Sequence, residues 1–286
     1  MILTGIADEA SPSLDEQLDA NEELGWASIE LRSVGKTNVC EMDEAAFDGV
    51  ADAVEARRFF VPCLASGIAN WSRPITADFP RDVADLRRAA PRMRRLGTRL
   101  IRIMSWPNDG LAEDAWRAEA LRRLRELAQI AAGEGIVLAL ENCSGWASAS
   151  PSTLRGAVEE IGSPNLRVLF DTGNAVGDGG ERDDSWRFYE AARPHICHLH
   201  VKDCARDAAG EVGYTWPGEG WGMVREILAD LAATGYDGAV SIEPHISGQI
   251  HRGSTGGEAE NAREVYREYG RRAAAMLDEI AGLRRG

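Results

Sequence analysis

The stretch HICHLHVKD, residues 195–203, carries three of the chain's five histidines. Its apolar and polar residues alternate, which is the pattern of a β-strand whose successive side chains point to opposite faces. The alternation places His198, His200 and Lys202 on one face, with His200 near the carboxyl end of the predicted strand. The carboxyl end of this strand is therefore a candidate functional site.

Three other short apolar runs end in an acidic residue in the same way. They are IVLALEN with Glu141, LRVLFDTGN with Asp171 and AVSIEPH with Glu243. One imidazole and three carboxylates, each at the end of a predicted strand, form a ligand set that suits an oxygen-rich site for a divalent metal ion.

Strand and helix patterns alternate eight times along the 286 residues. The predicted strands are residues 2–8, 26–34, 59–67, 98–106, 136–142, 166–174, 195–203 and 238–245. The predicted helices are residues 13–25, 43–57, 78–96 with an interruption at Pro91, 111–134, 152–161, 185–192, 221–234 and 258–283. Eight such units predict the α/β class and a parallel sheet closed into a single (β/α)₈ TIM barrel. A barrel of this kind takes about 250 residues, so residues 1–286 are expected to form one domain.

Composition narrows the class of partner. The net charge of −14 and the pI near 4.9 argue against nucleic acid and against an anionic membrane surface, which both attract basic proteins. Five cysteines without a CxxC pair indicate reduced thiols. The N-terminus lacks a secretory pattern, and no apolar run approaches the ~20 residues of a membrane span. A cytoplasmic enzyme of small molecules is the resulting expectation.

The four candidate ligands lie on predicted strands five to eight, which are neighbours in a (β/α)₈ barrel. Active sites of such barrels lie at the carboxyl ends of the strands. Strand periodicity points Glu141, Asp171, His200 and Glu243 toward the barrel axis. Taken singly, each acid is explained as a helix cap or a solvated strand end. Four together are harder to explain so, because buried charges are costly unless they are paired or bound to metal.

The fragments IELR (29–32), ALEN, LFDTGN, CHLHVKD, PGEG and SIEPH together resemble the xylose isomerase-like TIM-barrel superfamily. Relatives in that superfamily include sugar-phosphate isomerases and epimerases, ketose 3-epimerases, hydroxypyruvate isomerase and inosose dehydratase. The resemblance covers essentially the whole chain and is specific for the superfamily, but it does not identify a substrate. It implies that Glu141, Asp171, His200 and Glu243 bind one divalent metal ion. Mn²⁺, Mg²⁺ and Co²⁺ suit such a site best, and Zn²⁺ is also compatible.

The resemblance also implies a reaction. Glu141 and Glu243 correspond to the acid/base pair of isomerases and epimerases that act on keto-sugars or sugar phosphates through a metal-stabilised enediolate. Lys202 and Arg206 correspond to positions that face a carbohydrate substrate, but Lys202 can instead form an ion pair with Asp203, and Arg206 can be a solvated loop residue. The remaining predicted substrate contacts are Asn174, Glu30 and Trp106, although a salt bridge at the end of its strand explains Glu30 equally well. Relatives are often dimers or tetramers, so a homodimer or homotetramer is expected.

Tryptophans follow several of the predicted strands, and more than one role suits them. They are Trp71, Trp106, Trp146 and Trp216. An aromatic wall suits the face of a sugar, but the same side chains can instead plug the barrel mouth or form a subunit contact.

Other functions share this fold. A dehydratase of a keto-cyclitol or keto-sugar uses the same metal but expels a β-hydroxyl. An AP endonuclease-like nuclease needs more histidines than this chain supplies, since predicted strands three and four end in LASG and IMSW. A barrel that binds metal and sugar without catalysis is a further alternative. Many relatives have histidine after the DTG sequence where this chain has Asn174, which departs from the ketose-epimerase pattern.

Overall fold

The structure of the chain is a computed structural model that describes residues 1–246 and 259–283. The described residues fall into two units. Unit 1 comprises Met1–Lys36, Asp171–Tyr189 and the chain from Leu199 onward, and unit 2 comprises Thr37–Phe170 and Glu190–His198. Organisation of residues 1–286 as a single domain stays a prediction.

Strands and helices alternate along the described chain, as the sequence predicts. The strands are β1 (Ile2–Gly5), β2 (Ser33–Val34), β3 (Thr37–Asn38), β4 (Cys63–Ala65), β5 (Leu100–Ser105), β6 (Val137–Gly145), β7 (Leu166–Asp171), β8 (Ile196–Val201), β9 (Cys204–Arg206), β10 (Val212–Tyr214) and β11 (Ala239–Ile242). The helices are α1 (Leu14–Glu23), α2 (Glu44–Ala56), α3 (Phe79–Leu96), α4 (Glu113–Glu134), α5 (Pro151–Ile161), α6 (Asn174–Gly177), α7 (Asp184–Ala192), α8 (Val224–Ala233) and α9 (Ala259–Leu283). The predicted glycine-bearing loop before the last helix, with Gly248, Gly253, Gly256 and Gly257, lies outside the described residues.

In unit 1 the parallel strands run in the order β1, β11, β8. The register pairs Ser241 with His200, and the Glu243 backbone N–H donates to the Val201 carbonyl at 3.0 Å. The carboxyl ends of β8 and β11 therefore lie side by side. On the other side of β1, Ile6 forms a parallel bridge with Glu30.

In unit 2 the parallel order is β4, β5, β6, β7. Consecutive residues of β6, Leu138, Ala139 and Leu140, are all buried, so both faces of the strand are covered. Burial on both faces is typical of parallel sheets flanked by helices. Parallel pairing in both units confirms the predicted α/β class.

Two local predictions differ from the structure. Residues 26–34 form isolated bridges and the short β2 instead of one continuous strand. The Ser28 hydroxyl donates to the Leu3 carbonyl at 2.7 Å, so a side chain occupies an acceptor of β1 that a regular ladder would use. The predicted interruption at Pro91 is wrong, because α3 continues through it. Buried Arg92 supports the helix there by donating to the carbonyls of Val39 and Met42 at 2.9 and 2.7 Å.

Gly5 at the end of β1 has no room for a side chain. A Cβ at this position would lie 2.0 Å from the Tyr266 hydroxyl oxygen and 2.7 Å from Ile242 Cγ1. We expect Gly5→Ala to lower the free energy of unfolding by about 1–3 kcal/mol, the usual cost of overpacking. Urea denaturation measures it. Gly49→Ala in α2 is the control, because no atom lies within 4 Å of its Cβ. Equal stability of the two variants would contradict the prediction.

Candidate active site

Three of the four predicted metal ligands meet in unit 1. Asp171, His200 and Glu243 are buried, and their ligand atoms lie within 4.8 Å of one another. His200 Nδ1 is 3.9 Å from Asp171 Oδ2 and 3.6 Å from Glu243 Oε2. We call these three residues the acid–histidine cluster. Two carboxylates and an imidazole nitrogen converging in this way can hold a divalent cation.

Glu30 orients the imidazole of the cluster. His200 Nε2 lies 3.1 Å from Glu30 Oε1, and both side chains are fully buried. The tautomer with its proton on Nε2 donates to Glu30 and leaves the Nδ1 lone pair facing the two carboxylates. Metal-binding histidines are commonly held by a carboxylate in this manner. The structure thus places Glu30, a predicted substrate contact, against His200.

Lys202 shows that the cluster accommodates positive charge. Its ammonium nitrogen lies 3.0 Å from Asp171 Oδ2 and 3.0 Å from Glu243 Oε2. The Lys202 backbone is fixed by Thr172, whose hydroxyl donates to the Lys202 carbonyl at 2.6 Å and accepts its N–H at 3.1 Å. One cationic group between two buried carboxylates is the electrostatic arrangement that a bound metal ion also requires, so the donor set fits a divalent cation.

Asp171 divides its two oxygens between backbone and cluster. Oδ1 accepts the N–H groups of Gly173 at 2.8 Å and Asn174 at 2.9 Å, where α6 begins. Oδ2 is the oxygen that faces Lys202 and His200. The backbone bonds fix the carboxylate without using the oxygen that faces the cluster. Asn174, a predicted substrate contact, serves Asp171 through its backbone N–H.

Glu243 is held as an anion. Burial by itself would raise the pKa of Glu243, but the charges of Lys202, His245 and Arg32 and a hydrogen bond with His200 outweigh it, so the pKa lies well below its usual value. Arg32 Nη1 contacts Oε1 at 2.5 Å, while Lys202 contacts Oε2. A buried carboxylate that stays ionised can serve both as a metal ligand and as a base.

Arg32 links Glu243 to a second group of charged residues, Asp8, Glu9 and His245, which were not predicted from the sequence. Its Nη2 lies 2.8 Å from Asp8 Oδ1 and 3.5 Å from Glu9 Oε1. Glu9 in turn accepts the His245 backbone N–H at 2.8 Å and contacts His245 Nδ1 at 2.6 Å. Glu9, Glu243 and His245 also place ligand atoms within 4.8 Å of one another, and the Arg32 guanidinium lies beside Glu9 and Glu243.

The spacing of Arg32 and His245 from predicted site residues could have identified them in the sequence. Arg32 follows Glu30 by two positions, and His245 follows Glu243 by two. Residues two apart on a strand point to the same face. Side chains that share a face with a predicted site residue were therefore candidates as well.

Glu141, the fourth predicted ligand, lies in unit 2 at the end of the buried part of β6. Its Oε2 is 3.5 Å from Arg102 Nη1, and both residues are buried. Arg102 also donates to the Ser66 carbonyl at 3.0 Å, while the Ser66 hydroxyl donates to the Arg102 carbonyl at 2.5 Å. Glu141 is thus a buried carboxylate beside a guanidinium that the neighbouring backbone fixes in place.

Trp106 and Arg206 differ in how they are held. The Trp106 side chain is fully buried in unit 2, and its indole N–H donates to Asp82 Oδ2 at 2.7 Å. Trp146 is also buried, whereas Trp71 is 58% exposed. Arg206 in unit 1 is half-buried at the end of β9, and its Nη2 would lie 3.3 Å from a Cβ on Gly179. The roles of Trp106 and Arg206 toward substrate stay predictions.

Strands paired in parallel, alternating helices and an acid–histidine cluster at strand ends define an α/β protein with a candidate metal centre. The chain belongs to the family described as the xylose isomerase-like TIM barrel, which it matches over residues 18–269. The predicted (β/α)₈ class and the resemblance found in the sequence are thereby confirmed. None of the described helices has the length and apolar character needed to cross a membrane.

Several curated relatives match part of the chain, and all three named here are enzymes. A 2-epi-5-epi-valiolone 7-phosphate 2-epimerase of Actinoplanes sp. is 32% identical over 146 residues, which cover 51% of this chain and 50% of that protein. A D-psicose 3-epimerase of Enterocloster bolteae is 28% identical over 52% of this chain and 46% of the relative. An inosose dehydratase of Serratia proteamaculans is 26% identical over 41% and 44%. The chain thus matches about half the length of each relative.

Solved structures match nearly the whole chain at lower identity. The IOLI protein, determined with a zinc atom, superimposes with a TM-score of 0.72 at 16% identity and covers 98% of this chain and 99% of that one. A xylose isomerase-like TIM barrel protein from Mycobacterium smegmatis, in complex with magnesium, gives a TM-score of 0.68 at 18% identity, with 96% and 97% covered. At these identities the likeness establishes the fold.

Proposed function

We propose that this chain is a divalent-metal-dependent isomerase or epimerase that moves a proton next to the carbonyl of a keto-sugar or sugar phosphate. The observation that carries the proposal is the acid–histidine cluster, in which two buried carboxylates share the Lys202 ammonium at 3.0 Å each. Two epimerases among the relatives support the reaction class.

The proposed metal ligands are Asp171, His200, Glu243 and Glu141. The first three are supported by their convergence in unit 1. Glu141 is proposed from its place in the ALEN sequence of the family resemblance and from its burial. Mn²⁺, Mg²⁺ and Co²⁺ suit a set of three carboxylates and one imidazole, and Zn²⁺ also binds such ligands. A zinc-bound and a magnesium-bound relative support a metal of this kind.

A divalent cation held by these residues would supply Lewis-acid polarisation of a substrate carbonyl, which acidifies the neighbouring C–H. Glu243 is the proposed base that removes or returns the proton, and Lys202 and Arg32 keep it ionised. Glu141 is its proposed partner in proton transfer. Lys202 and Arg206 are the proposed cationic contacts to substrate, and Asn174, Glu30 and Trp106 are the other proposed substrate contacts.

A dehydratase is the second candidate. The inosose dehydratase match favours it, because the same metal site and base would serve, with the β-hydroxyl taking up a proton and leaving as water after the C–H proton is removed. The expected small-molecule carbohydrate substrate is common to both reactions. Cytoplasmic location, assembly as a homodimer or homotetramer, and the absence of nucleic-acid and membrane partners stay predictions.

A panel of keto-sugars, sugar phosphates and keto-cyclitols distinguishes the two reactions. The protein is incubated with each compound in D₂O with Mn²⁺, and the products are followed by NMR, with an EDTA-treated sample as the control. We expect deuterium at an epimerised or isomerised carbon and no turnover after EDTA treatment. An unsaturated or diketone product would instead identify the dehydratase. Equal turnover with and without EDTA would refute metal dependence.

A further inference from the structure

Asp203, the last residue of the HICHLHVKD stretch, is fully buried and gathers four backbone N–H groups. Its Oδ1 accepts from Cys204 at 2.9 Å and from Gly222 at 2.8 Å. Its Oδ2 accepts from Gly218 at 2.8 Å and from Gly220 at 3.0 Å. A carboxylate that accepts several backbone bonds fixes the segment that donates them, because such charge-assisted bonds are stronger than neutral ones.

The same segment is also closed at both ends by backbone bonds. The Thr215 N–H donates to the Asp203 carbonyl at 2.9 Å, and the Trp221 N–H donates to the Cys204 carbonyl at 2.8 Å. We call residues 215–222, which contain the PGEG sequence, the glycine loop. A Cβ on Gly220 would lie 2.3 Å from Asp203 Oδ1, so the close approach of loop and carboxylate requires glycine there.

The glycine loop begins directly after Tyr214. This tyrosine pairs with Cys204 across the β9–β10 hairpin. Its ring packs edge-on against His245, with the ring centroids 5.1 Å apart. His245 follows Glu243 by two residues, so Tyr214 lies beside the chain that carries the proposed base. The 38% exposure of Tyr214 leaves part of the ring open to a ligand.

The far side of the glycine loop rests on α9. Arg272 lies over the Trp216 ring at 4.3 Å, and the Trp216 and Tyr269 rings are 6.2 Å apart. Asp203 therefore fixes the loop from β8 while α9 supports it from outside. Tyr214, at the start of the loop, is held between these anchored residues and His245.

We propose that Asp203 is a positioning residue of the candidate active site. Its carboxylate folds the glycine loop onto the end of β8 and thereby holds Tyr214 against His245, where the tyrosine ring forms a wall for the substrate. Asp203 touches neither substrate nor metal and acts through the loop. The effect on substrate binding rests on the proposed function, whereas the effect on the loop does not.

Asp203→Asn tests the proposal. The amide retains one acceptor oxygen, but its NH₂ faces two N–H donors, so the side chain loses at least two bonds, and at least one of them is to the glycine loop. We expect hydrogen exchange of the amides in residues 214–222 to accelerate at least about tenfold, as for loss of one hydrogen bond to a charged group. With the substrate that the panel identifies, KM should rise about tenfold while kcat changes less than about threefold. Mn²⁺ affinity should match the wild type, because the acid–histidine cluster is unchanged.

Asp207→Asn is the matched control. Asp207 Oδ1 also accepts two backbone N–H groups, from Ala209 at 2.8 Å and Glu211 at 2.9 Å, but at the exposed tip of the same hairpin. This variant should leave KM and the exchange of residues 214–222 at wild-type values. Gly220→Ala is a second route to the same defect, since its Cβ displaces the Asp203 carboxylate while the aspartate is retained. If Asp203→Asn does not fold, Gly220→Ala still tests the proposal.

Wild-type exchange rates and wild-type KM in Asp203→Asn or Gly220→Ala would overturn the proposal. So would a fall in kcat and Mn²⁺ affinity with unchanged KM, because that pattern reports damage to the metal centre and not a displaced wall. If the wild-type protein turns over no compound of the panel, the proposed function has failed. The exchange rates of residues 214–222 then decide by themselves whether Asp203 holds the loop.

Discussion

Glu243→Gln is expected to lower kcat by about 10²–10⁴-fold, the usual contribution of a general base. The substitution keeps the size of the side chain and one oxygen for a metal ion, but it removes the negative charge that accepts a proton. In the structure Lys202 and Arg32 hold the pKa of this buried carboxyl well below its usual value, so the wild-type residue is in the ionised form that can accept a proton. The measurement is kcat with the substrate found by the panel, together with exchange of deuterium from D₂O into that substrate.

Glu226→Gln supplies the control, because it makes the same chemical change at an exposed position of α8. It should leave kcat and the exchange rate unchanged. Deuterium exchange at the wild-type rate in Glu243→Gln would rule out Glu243 as the base, even if overall turnover fell. Glu141→Gln in the same assay shows whether the second proposed glutamate also carries a proton.

Strand periodicity is the reason that the sequence predicts the meeting of His200, Lys202 and Glu243. His200 and Lys202 lie two residues apart at the end of β8, and Glu243 follows β11, whose register pairs Ser241 with His200. In a parallel sheet these ends meet at one edge, so a period of two and the position of the last apolar residue suffice to bring the side chains together. The α/β class follows from the same pattern, because alternating short apolar runs and amphipathic segments have few other packed solutions.

Strand periodicity does not predict the ion pairs that support the acid–histidine cluster, because their partners are far apart in the sequence. Arg32 reaches Glu243 across 211 positions of sequence, and Glu9 reaches His245 across 236. Neither pairing has a local signal, since each depends on how residues 1–36 and residues 243–245 approach in unit 1. The irregular backbone of residues 26–34 has the same origin, because the bond from Ser28 to Leu3 is set by tertiary contact and not by propensity.

The bonds between Asp203 and the glycine loop could not be predicted from the sequence for a different reason. Its position after Lys202 suggests a simple ion pair between neighbours, and the glycines of PGEG are explained by turn chemistry alone. In the structure Gly220 is required because its Cβ would lie 2.3 Å from Asp203 Oδ1, whereas Gly218 has the positive φ of a turn glycine. An aspartate and a glycine-rich segment 15–19 residues apart do not reveal this relation without the fold.

His200→Ala is expected to weaken Mn²⁺ binding by more than about 100-fold, because loss of a ligand should exceed the roughly 10–100-fold cost of changing a residue that only supports a ligand. His200 is the only nitrogen donor among the four proposed ligands, and its Nδ1 faces both Asp171 Oδ2 and Glu243 Oε2. Metal content after dialysis and Mn²⁺ titration measure the effect. Circular dichroism below the melting temperature checks that the variant is folded.

Two further variants extend the prediction to an order of Mn²⁺ affinities. Glu30→Gln keeps His200 but weakens the bond that orients its ring, so Mn²⁺ affinity should fall by about 10–100-fold. His195→Ala removes an imidazole that lies 3.6 Å from Glu159 and is not part of the cluster, so affinity should not change. The expected order of Mn²⁺ affinity is therefore wild type equal to His195→Ala, then Glu30→Gln, then His200→Ala. Wild-type metal content in His200→Ala would show that the histidine is not a ligand, and Glu30 would then have to stabilise a buried imidazole for a reason other than metal binding.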